Sequence, residues 1–507
     1  MADAKVMSPL QRVLSCIGLI VVIIFIAALI GGAYLLGRFG ADTPVTYQDN
    51  AEHFKYGSLG SEHQFGVPYW IWKALPELFA DKLPGKGWES LGFVFEKGKD
   101  LPVGMSKRRY LGFDLVWLNC AFCHTGTVRE TPESERQVYT AMPANTFDFR
   151  AFTRFLFAAG EDRRFTPDLI LLQIKTIRKR ENLDDLPLID RLVLRYYGIY
   201  LMRERILTLR DRLNFIAAEP EWGPGRVDTF NPLKAYFNFP VNKLAPEERV
   251  GTTDFPSIWN QGQREERKLE LHWDGNNVSL EERNRSAAMG AGITPPTADR
   301  PAMKRVADWL RTLPAPPYPF KIDKNLAAQG APIYKEYCSE CHGADGKDFS
   351  GKYVGKVTPI DEIGTDRHRL DSYTYDVAVN QGTIFAGYGD ERFSHFRKTF
   401  GYANSPLDGL WLRAPYLHNG SVPTMRDLLE PGDKRPKTFY RGYDVYDQKK
   451  LGFVYDVAEE KGKKFFLYDT DDKTQPGNSN RGHEEKRYGT ELTPAEKDAL
   501  VEYLKTF

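Results

Sequence analysis

The pentapeptide Cys120-Ala121-Phe122-Cys123-His124 recurs in kind as Cys338-Ser339-Glu340-Cys341-His342, and together the two use four of the chain's five cysteines. Two thiols on one turn, followed at once by an imidazole, form the attachment signal for c-type haem: the thiols add to the two vinyl groups and the histidine binds the iron. A lone match is also compatible with a redox dithiol or a zinc pair. A cysteine-poor chain that repeats the whole pentapeptide points instead to two covalently bound haem c groups. Such attachment takes place outside the cytoplasmic membrane in bacteria, so the compartment implied is the periplasm.

With 507 residues the chain has room for two or three domains, each with its own core. Its 69 Lys and Arg stand against 68 Asp and Glu, a net charge of +1, so there is no global basic field to draw in nucleic acid.

Val13 to Leu36 is an almost uninterrupted apolar run without charge, preceded by Lys5 and Arg12. It is long enough to cross a bilayer core of about 30 Å, and the basic residues ahead of it put residue 1 in the cytoplasm. A cleaved signal peptide is the competing reading, but the run exceeds the usual signal core of about 7–15 residues and no small-x-small site clearly follows it. The expected layout is a cytoplasmic N-terminus over residues 1–12, a single-pass anchor in the inner membrane over 13–37, and haem domains in the periplasm. Cys16, inside the run and without a preceding lipoprotein signal, reads as a buried bystander.

Residues 38–110 are rich in Gly, Pro and aromatics and read as irregular packing structure without long helices. Thr166-Pro167 opens a helical pattern that continues through Asp190–Ile216, with apolar residues on one stripe and Arg or Glu on the other. This predicts a helical insertion over about 160–245, whose many arginines make either a solvated face or a partner-docking one.

Two distant segments match. Val306-Ala307-Asp308-Trp309-Leu310-Arg311-Thr312-Leu313 and Leu500-Val501-Glu502-Tyr503-Leu504-Lys505-Thr506-Phe507 share one order of apolar, acidic, aromatic and basic residues. Each closes a region that holds one pentapeptide, and Thr493-Pro494-Ala495-Glu496 supplies a capping box to the second. Asn325 to Tyr337 reads as a short amphipathic helix that runs straight into Cys338. The layout implies an internal duplication. The expected fold is therefore mainly α: an N-terminal transmembrane helix, then two cytochrome c-like helical domains, 38–313 and 320–507, with the helical insertion and extensive irregular loops. The proline-rich Leu313–Pro319 stretch between them reads as a stiff linker.

His124 and His342 are the proximal ligands. Function turns on the opposite face of each iron: a second strong ligand makes an electron-transfer haem, and an open position admits oxygen or peroxide. For the second haem the candidates are His483, in a polar loop shortly before the closing helix, and its competitors His418 and Met425.

Pro415-Tyr416-Leu417-His418-Asn419-Gly420-Ser421-Val422-Pro423-Thr424 after the second pentapeptide, and His272-Trp273-Asp274-Gly275 between the two, resemble the bacterial di-haem cytochrome c peroxidase superfamily. That group includes the methylamine-dehydrogenase-maturing enzymes and the rubber oxygenases, and the resemblance spans roughly residues 110–507. The long insertion before Trp273 and the Gly-His ending are more similar to the rubber-oxygenase branch. The resemblance implies that Trp273 lies between the haems as an electron conduit, that His418 hydrogen-bonds near the second haem, and that His483 is that haem's distal ligand. It also implies an open, reactive first haem and a Ca2+ ion between the domains. On the residues alone Trp273 reads equally well as a core tryptophan.

One departure matters. Peroxidases of the family carry a Glu before a Met-Gly pair as acid/base at the open haem; Ser286-Ala287-Ala288-Met289-Gly290 has Ala288 there, and alanine moves no proton. Glu281 or Glu282 substitutes only if the chain folds back. The function expected is a membrane-anchored periplasmic di-haem oxidoreductase, binding O2 or peroxide at the first haem and transferring electrons through the second. The alternative is a non-catalytic cytochrome that relays electrons between a membrane complex and a soluble redox partner.

Overall fold

The computed structural model describes residues 8–214, 219–240 and 243–507. Residues 1–7 of the expected cytoplasmic segment, and the end of the helical pattern at Ile216, lie outside the described residues.

Helix α1, Pro9–Gly40, is longer at both ends than the expected 13–37. Ser8 and Gln11 form a reciprocal capping box with Pro9 in the first turn, which starts the helix ahead of the apolar run. Its 32 residues rise about 48 Å. No residue of α1 is buried, so Cys16 is exposed on its surface and is not the buried bystander expected. The physical reason is that the described chain packs against α1 only near its C-terminal end, at Arg38 and Phe39, far from Cys16.

Ala41 alone separates α1 from strand β1, Asp42–Pro44. After α2, Asn50–Tyr56, the chain adds β2, Val67–Pro68, then β3, Met105–Tyr110, and β4, Phe113–Leu118, to make an antiparallel sheet in the order β1-β3-β4-β2. The region read as irregular thus contains a hairpin, β3–β4, that delivers the chain into Cys120. Its signal was weak because Lys, Arg and Asp occupy many of its positions in place of β-branched residues.

The stretch expected to be helical is helical over most of its first part. Helices α3, Phe149–Glu161, α4, Pro167–Arg180, α5, Leu188–Val193, and α6, Ile199–Leu213, follow one another, with a π-helical turn Leu194–Gly198 joining α5 to α6. Thr166 caps α4 through the Leu169 amide, as the Thr-Pro pair predicts. Beyond α6 the strand pair Arg226–Asp228 with Thr252–Asp254 brackets one short helix, α7, Asn231–Tyr236, so the helix expected up to 245 is interrupted by sheet.

The closing helices are α8, Arg300–Thr312, and α10, Pro494–Leu504; α9, Lys324–Tyr337, ends directly before Cys338. Each closing helix sets its matched aromatic against an aromatic of a preceding helix. Tyr334 of α9 meets Tyr503 of α10 with ring centroids 5.5 Å apart, and Phe54 of α2 meets Trp309 of α8 at 5.3 Å. The counterpart of α9 in the first half is therefore α2, separated from its pentapeptide by the inserted sheet.

The halves share one core, in which Phe54, Met142, Trp259, Val306 and Leu310 join Tyr334, Trp411, Leu500 and Phe507. The proline-rich stretch is part of it: Tyr318 packs edge-on against Trp411 at 5.7 Å, whose indole N–H donates to Pro316 O at 2.9 Å. A second cluster gathers Trp72, Trp88, Phe152 and Ile170 under the insertion.

The crossing of α9 and α10 is tight, because a Cβ at Gly330 would stand 2.1 Å from Ala499 O. Gly330→Ala should cost about 3 kcal/mol, the upper range for forced overpacking, and Gly387→Ala, which meets nothing within 4 Å, should cost little. Denaturant unfolding of the two variants checks this.

Candidate functional site

The two pentapeptides are each built on a short turn. Asn119 accepts the Ala121 amide and opens a 3-10 turn at Cys120–Phe122; Ser339–His342 continues from α9 as one further turn. His124 Nδ1 lies 2.9 Å from Pro256 O and His342 Nδ1 lies 2.7 Å from Ser405 O. A backbone carbonyl on Nδ1 fixes the tautomer and frees Nε2 as a metal ligand. Burial, with the Arg283 charge adding to it, pushes His124 down to about 3, and burial also lowers His342. Both are neutral imidazoles, the form that coordinates a metal.

The thiols are held as thiols: burial pushes Cys120 up to about 11 and Cys338 up to about 12. Among the described residues one group of three His, Cys, Asp or Glu side chains comes close enough to hold a metal ion, Asp366, His368 and Asp472, and neither cysteine pair belongs to it. A zinc set of three or four such ligands is thus assembled at neither pair. All four cysteines keep part of their surface accessible.

Between the loops stands Trp273. Its indole N–H donates to Asp254 O at 2.9 Å, two residues before the Pro256 that orients His124. Its carbonyl accepts the Ala403 amide at 2.8 Å, two residues before the Ser405 that orients His342. One tryptophan is therefore hydrogen-bonded to both segments that hold the proximal histidines.

The His418-Asn419-Gly420 segment packs against the same place, and each residue has a separate task. His418 is buried and stacks on Tyr402 with centroids 4.0 Å apart, its Nε2 2.9 Å from the Tyr402 hydroxyl; burial pushes it down to about 3. Asn419 Nδ2 donates to Gly477 O at 3.1 Å and Ser479 O at 2.9 Å, which ties down the loop that leads to His483. Gly420 has φ +63°, and a Cβ there would stand 2.2 Å from an Asp254 carboxylate oxygen; only glycine lets the buried Arg441–Asp254 pair, 3.0 and 3.1 Å, close beneath it.

His483 faces His342, ring centroid to ring centroid, at 6.3 Å. Two imidazoles bound to one metal through bonds of about 2.0–2.1 Å have this spacing. Arg435 holds the loop with its Nη1 on Gly482 O at 2.9 Å and its Nη2 on His483 O at 3.2 Å. Met425 sits buried at the start of a short helix, Met425–Leu428. His272, Leu417 and His483 have φ of +65°, +67° and +52°, a backbone state that bulky residues adopt rarely and that gathers at functional sites.

Several residues had no sequence signal. His272 Nε2 is buried with no hydrogen-bond partner, and the Arg283 charge that acts on His124 and Cys120 acts on His272 too. Arg226 is buried with its Nε and Nη2 unpartnered and its nearest carboxylate, Asp254, at 3.8 Å. Arg369, also buried, pairs with Asp274 at 3.0 Å and leaves Nε free of a partner. Both guanidiniums touch the residues that carry or flank Trp273, and such orphan donors fit the carboxylates of a haem edge. Ala288 is buried in the shared core. Glu282 accepts the amides of Ser394 at 2.8 Å and His395 at 3.0 Å, and Glu281 pairs with Arg285; neither carboxylate takes the place left by Ala288.

Comparison with known proteins finds a family match within the second half. Residues 401–440, which carry Tyr402 and His418-Asn419-Gly420, match a family model described as RoxA-like, cytochrome c-like. The chain is 31% identical over 295 residues to the uncharacterized protein y4iM of Sinorhizobium fredii (strain NBRC 101917 / NGR234), covering 50% of this chain and 64% of that one. It is 33% identical over 243 residues to y4iJ of the same organism, covering 36% of this chain and 39% of that one. The matches thus span less than two thirds of either relative. The RoxA-like match points to a haem c cytochrome oxidoreductase.

His483→Ala should convert the optical and EPR signature of one haem and leave the other unchanged, whereas Met425→Leu should change neither. Spectra of the oxidised variants check this, and an unaltered His483→Ala spectrum contradicts the 6.3 Å pairing as a ligand pair.

Proposed function

We propose that the chain is a membrane-anchored, periplasmic di-haem c oxidoreductase of RoxA-like type, with the first haem open to O2 or peroxide and the second passing electrons. The observation that carries this reading is Trp273, hydrogen-bonded to the segments behind both proximal histidines. Cys120, Cys123 and His124, and Cys338, Cys341, His342 and His483, would hold two haem c groups, which would supply single-electron exchange and a place for a small oxidant.

The chain's own groups divide the labour. Trp273 offers a polarizable ring between the halves, held rigidly at its N–H and carbonyl. Arg226 and Arg369 neutralise carboxylates in the buried layer beside it. His483 closes the second site and is itself held by Arg435 and Asn419. Ala288 withdraws the acid/base of peroxidases from the first site, which favours oxygen binding over peroxide heterolysis. His418, stacked on Tyr402, acts through that phenol as a positioning residue.

A second reading, an electron relay without catalysis, has one specific support: His272, which feels the same Arg283 charge as His124, has a buried Nε2 with no partner and would be available to hold a metal. A redox protein or membrane complex is the partner in both readings. Ca2+ rests on family resemblance, since the compact Asp366–His368–Asp472 group includes an imidazole, whereas Ca2+ takes oxygen ligands.

The reduced chain should bind one equivalent of carbon monoxide; none favours the relay, and restoration of one equivalent by His272→Ala would identify the closing ligand. Trp273→Phe should slow electron exchange between the haems at least tenfold in stopped-flow or flash-photolysis traces while both static spectra stay as in the parent.

A further inference from the structure

The junction between α1 and the rest of the chain is rigid. Ala41 alone separates the helix from β1, and β1 pairs with β3 through Asp42–Tyr110, Thr43–Arg109 and Pro44–Arg108. Phe39 lies under the β3–β4 turn, where a Cβ on Gly112 would stand 2.8 Å from its ring. Arg38, the first charge after the apolar run, pairs with Asp190 of α5. Whatever surface surrounds the end of α1 is therefore set by the fold and not by a tether.

That surface is apolar and uncovered. Leu188, Leu192, Tyr196 and Tyr200 follow at steps of four along α5, the π turn and α6, and are between 44% and 71% exposed. A step of four overshoots the α-helical period and falls short of the π-helical one, so the two drifts offset and the four side chains keep to one stripe. Leu111, at the tip of the β3–β4 turn above Phe39, is 54% exposed. Exposed Arg191 and Arg195 flank the stripe.

We propose that the Leu188–Leu192–Tyr196–Tyr200 stripe, with Leu111, is a membrane-contact face that lies in the headgroup layer of the bilayer α1 enters; this rests on the reading of α1 as a membrane span. Asp190, bonded to Arg38, fixes the depth. The apolar run ends at Leu36, so Arg38 stands at the edge of the hydrocarbon, within an interfacial layer of roughly 5–7 Å on each side of the core. The residues next to Asp190 must then face that layer. Tyrosines whose hydroxyls stay wet while their rings meet acyl chains, leucines beneath them, and arginines toward lipid phosphate are the composition such a layer favours. The face thus holds the haem domains at one height and one tilt above the membrane.

Nitroxide labels on the full haem-loaded chain test this in vesicles of phosphatidylethanolamine and phosphatidylglycerol. In a Cys16→Ser background, Leu192→Cys and Tyr196→Cys are compared with Ile23→Cys inside α1 and Val379→Cys on the exposed second half. The ratio of oxygen to nickel-chelate collision at Leu192→Cys and Tyr196→Cys should be several-fold above that at Val379→Cys and below that at Ile23→Cys. Adding Leu188→Glu should bring the Tyr196→Cys ratio toward that of Val379→Cys. If Ile23→Cys reads as shielded while the two stripe labels match Val379→Cys, the membrane-contact face is refuted alone, and a protein partner is left as its cover. If Ile23→Cys itself reads as aqueous, the anchor reading fails and this proposal with it.

Discussion

Everything in the interior depends on how the Trp273 segment is gripped. Its indole N–H and its carbonyl are each committed to a strand that, two residues further on, presents a carbonyl to a proximal histidine. Neither bond is strong alone, since a net hydrogen bond contributes on the order of 1 kcal/mol. Their value is geometric: one residue, through its indole N–H and its carbonyl, references the segments that hold His124 and His342 to each other. The single hydrophobic core that spans both halves supports the same conclusion.

Around that ring the second half is over-determined and the first is not. His483 is set by Arg435, by the Asn419-anchored loop and by its own amide on Ile363 O at 2.8 Å. Among the described residues no second imidazole pairs with His124 in the way His483 pairs with His342; the Arg283 charge acts on both His124 and His272, whose Nε2 is buried without a partner. This asymmetry of support is what the proposed division of roles between the two sites rests on.

How much of this is legible in the sequence depends on how local each device is. The pentapeptides, the Thr493 capping box, α9 and the matched closing helices are complete within a few turns, and they read directly. The aromatic pairs Phe54–Trp309 and Tyr334–Tyr503 follow from the matched segments only once α2 is recognised as a counterpart, and the inserted sheet hides it. The orphan states of His272 and Arg226 are properties of tertiary surroundings and leave no trace in spacing. Gly420 is the intermediate case: a Gly after His-Asn is visible, but the Asp254–Arg441 pair that requires it comes from residues far away in the chain. The helical pattern from Thr166-Pro167 corresponds to helices up to Leu213, where α6 ends. Beyond it, buried Asp228 gathers the backbone amides of Phe230, Asn231 and Gly251, which leaves room for only the short helix Asn231–Tyr236 between two strands.

The most direct measurement is the spectrum of each haem in isolation. Cys120→Ala with Cys123→Ala should leave a chain with one covalent haem by intact mass, and its oxidised spectrum should be that of a low-spin iron between two imidazoles, unresponsive to carbon monoxide when reduced. A remaining haem that is high-spin and binds carbon monoxide, or a parent chain that carries no covalent haem, would contradict the assignment of an open first site and a closed second one.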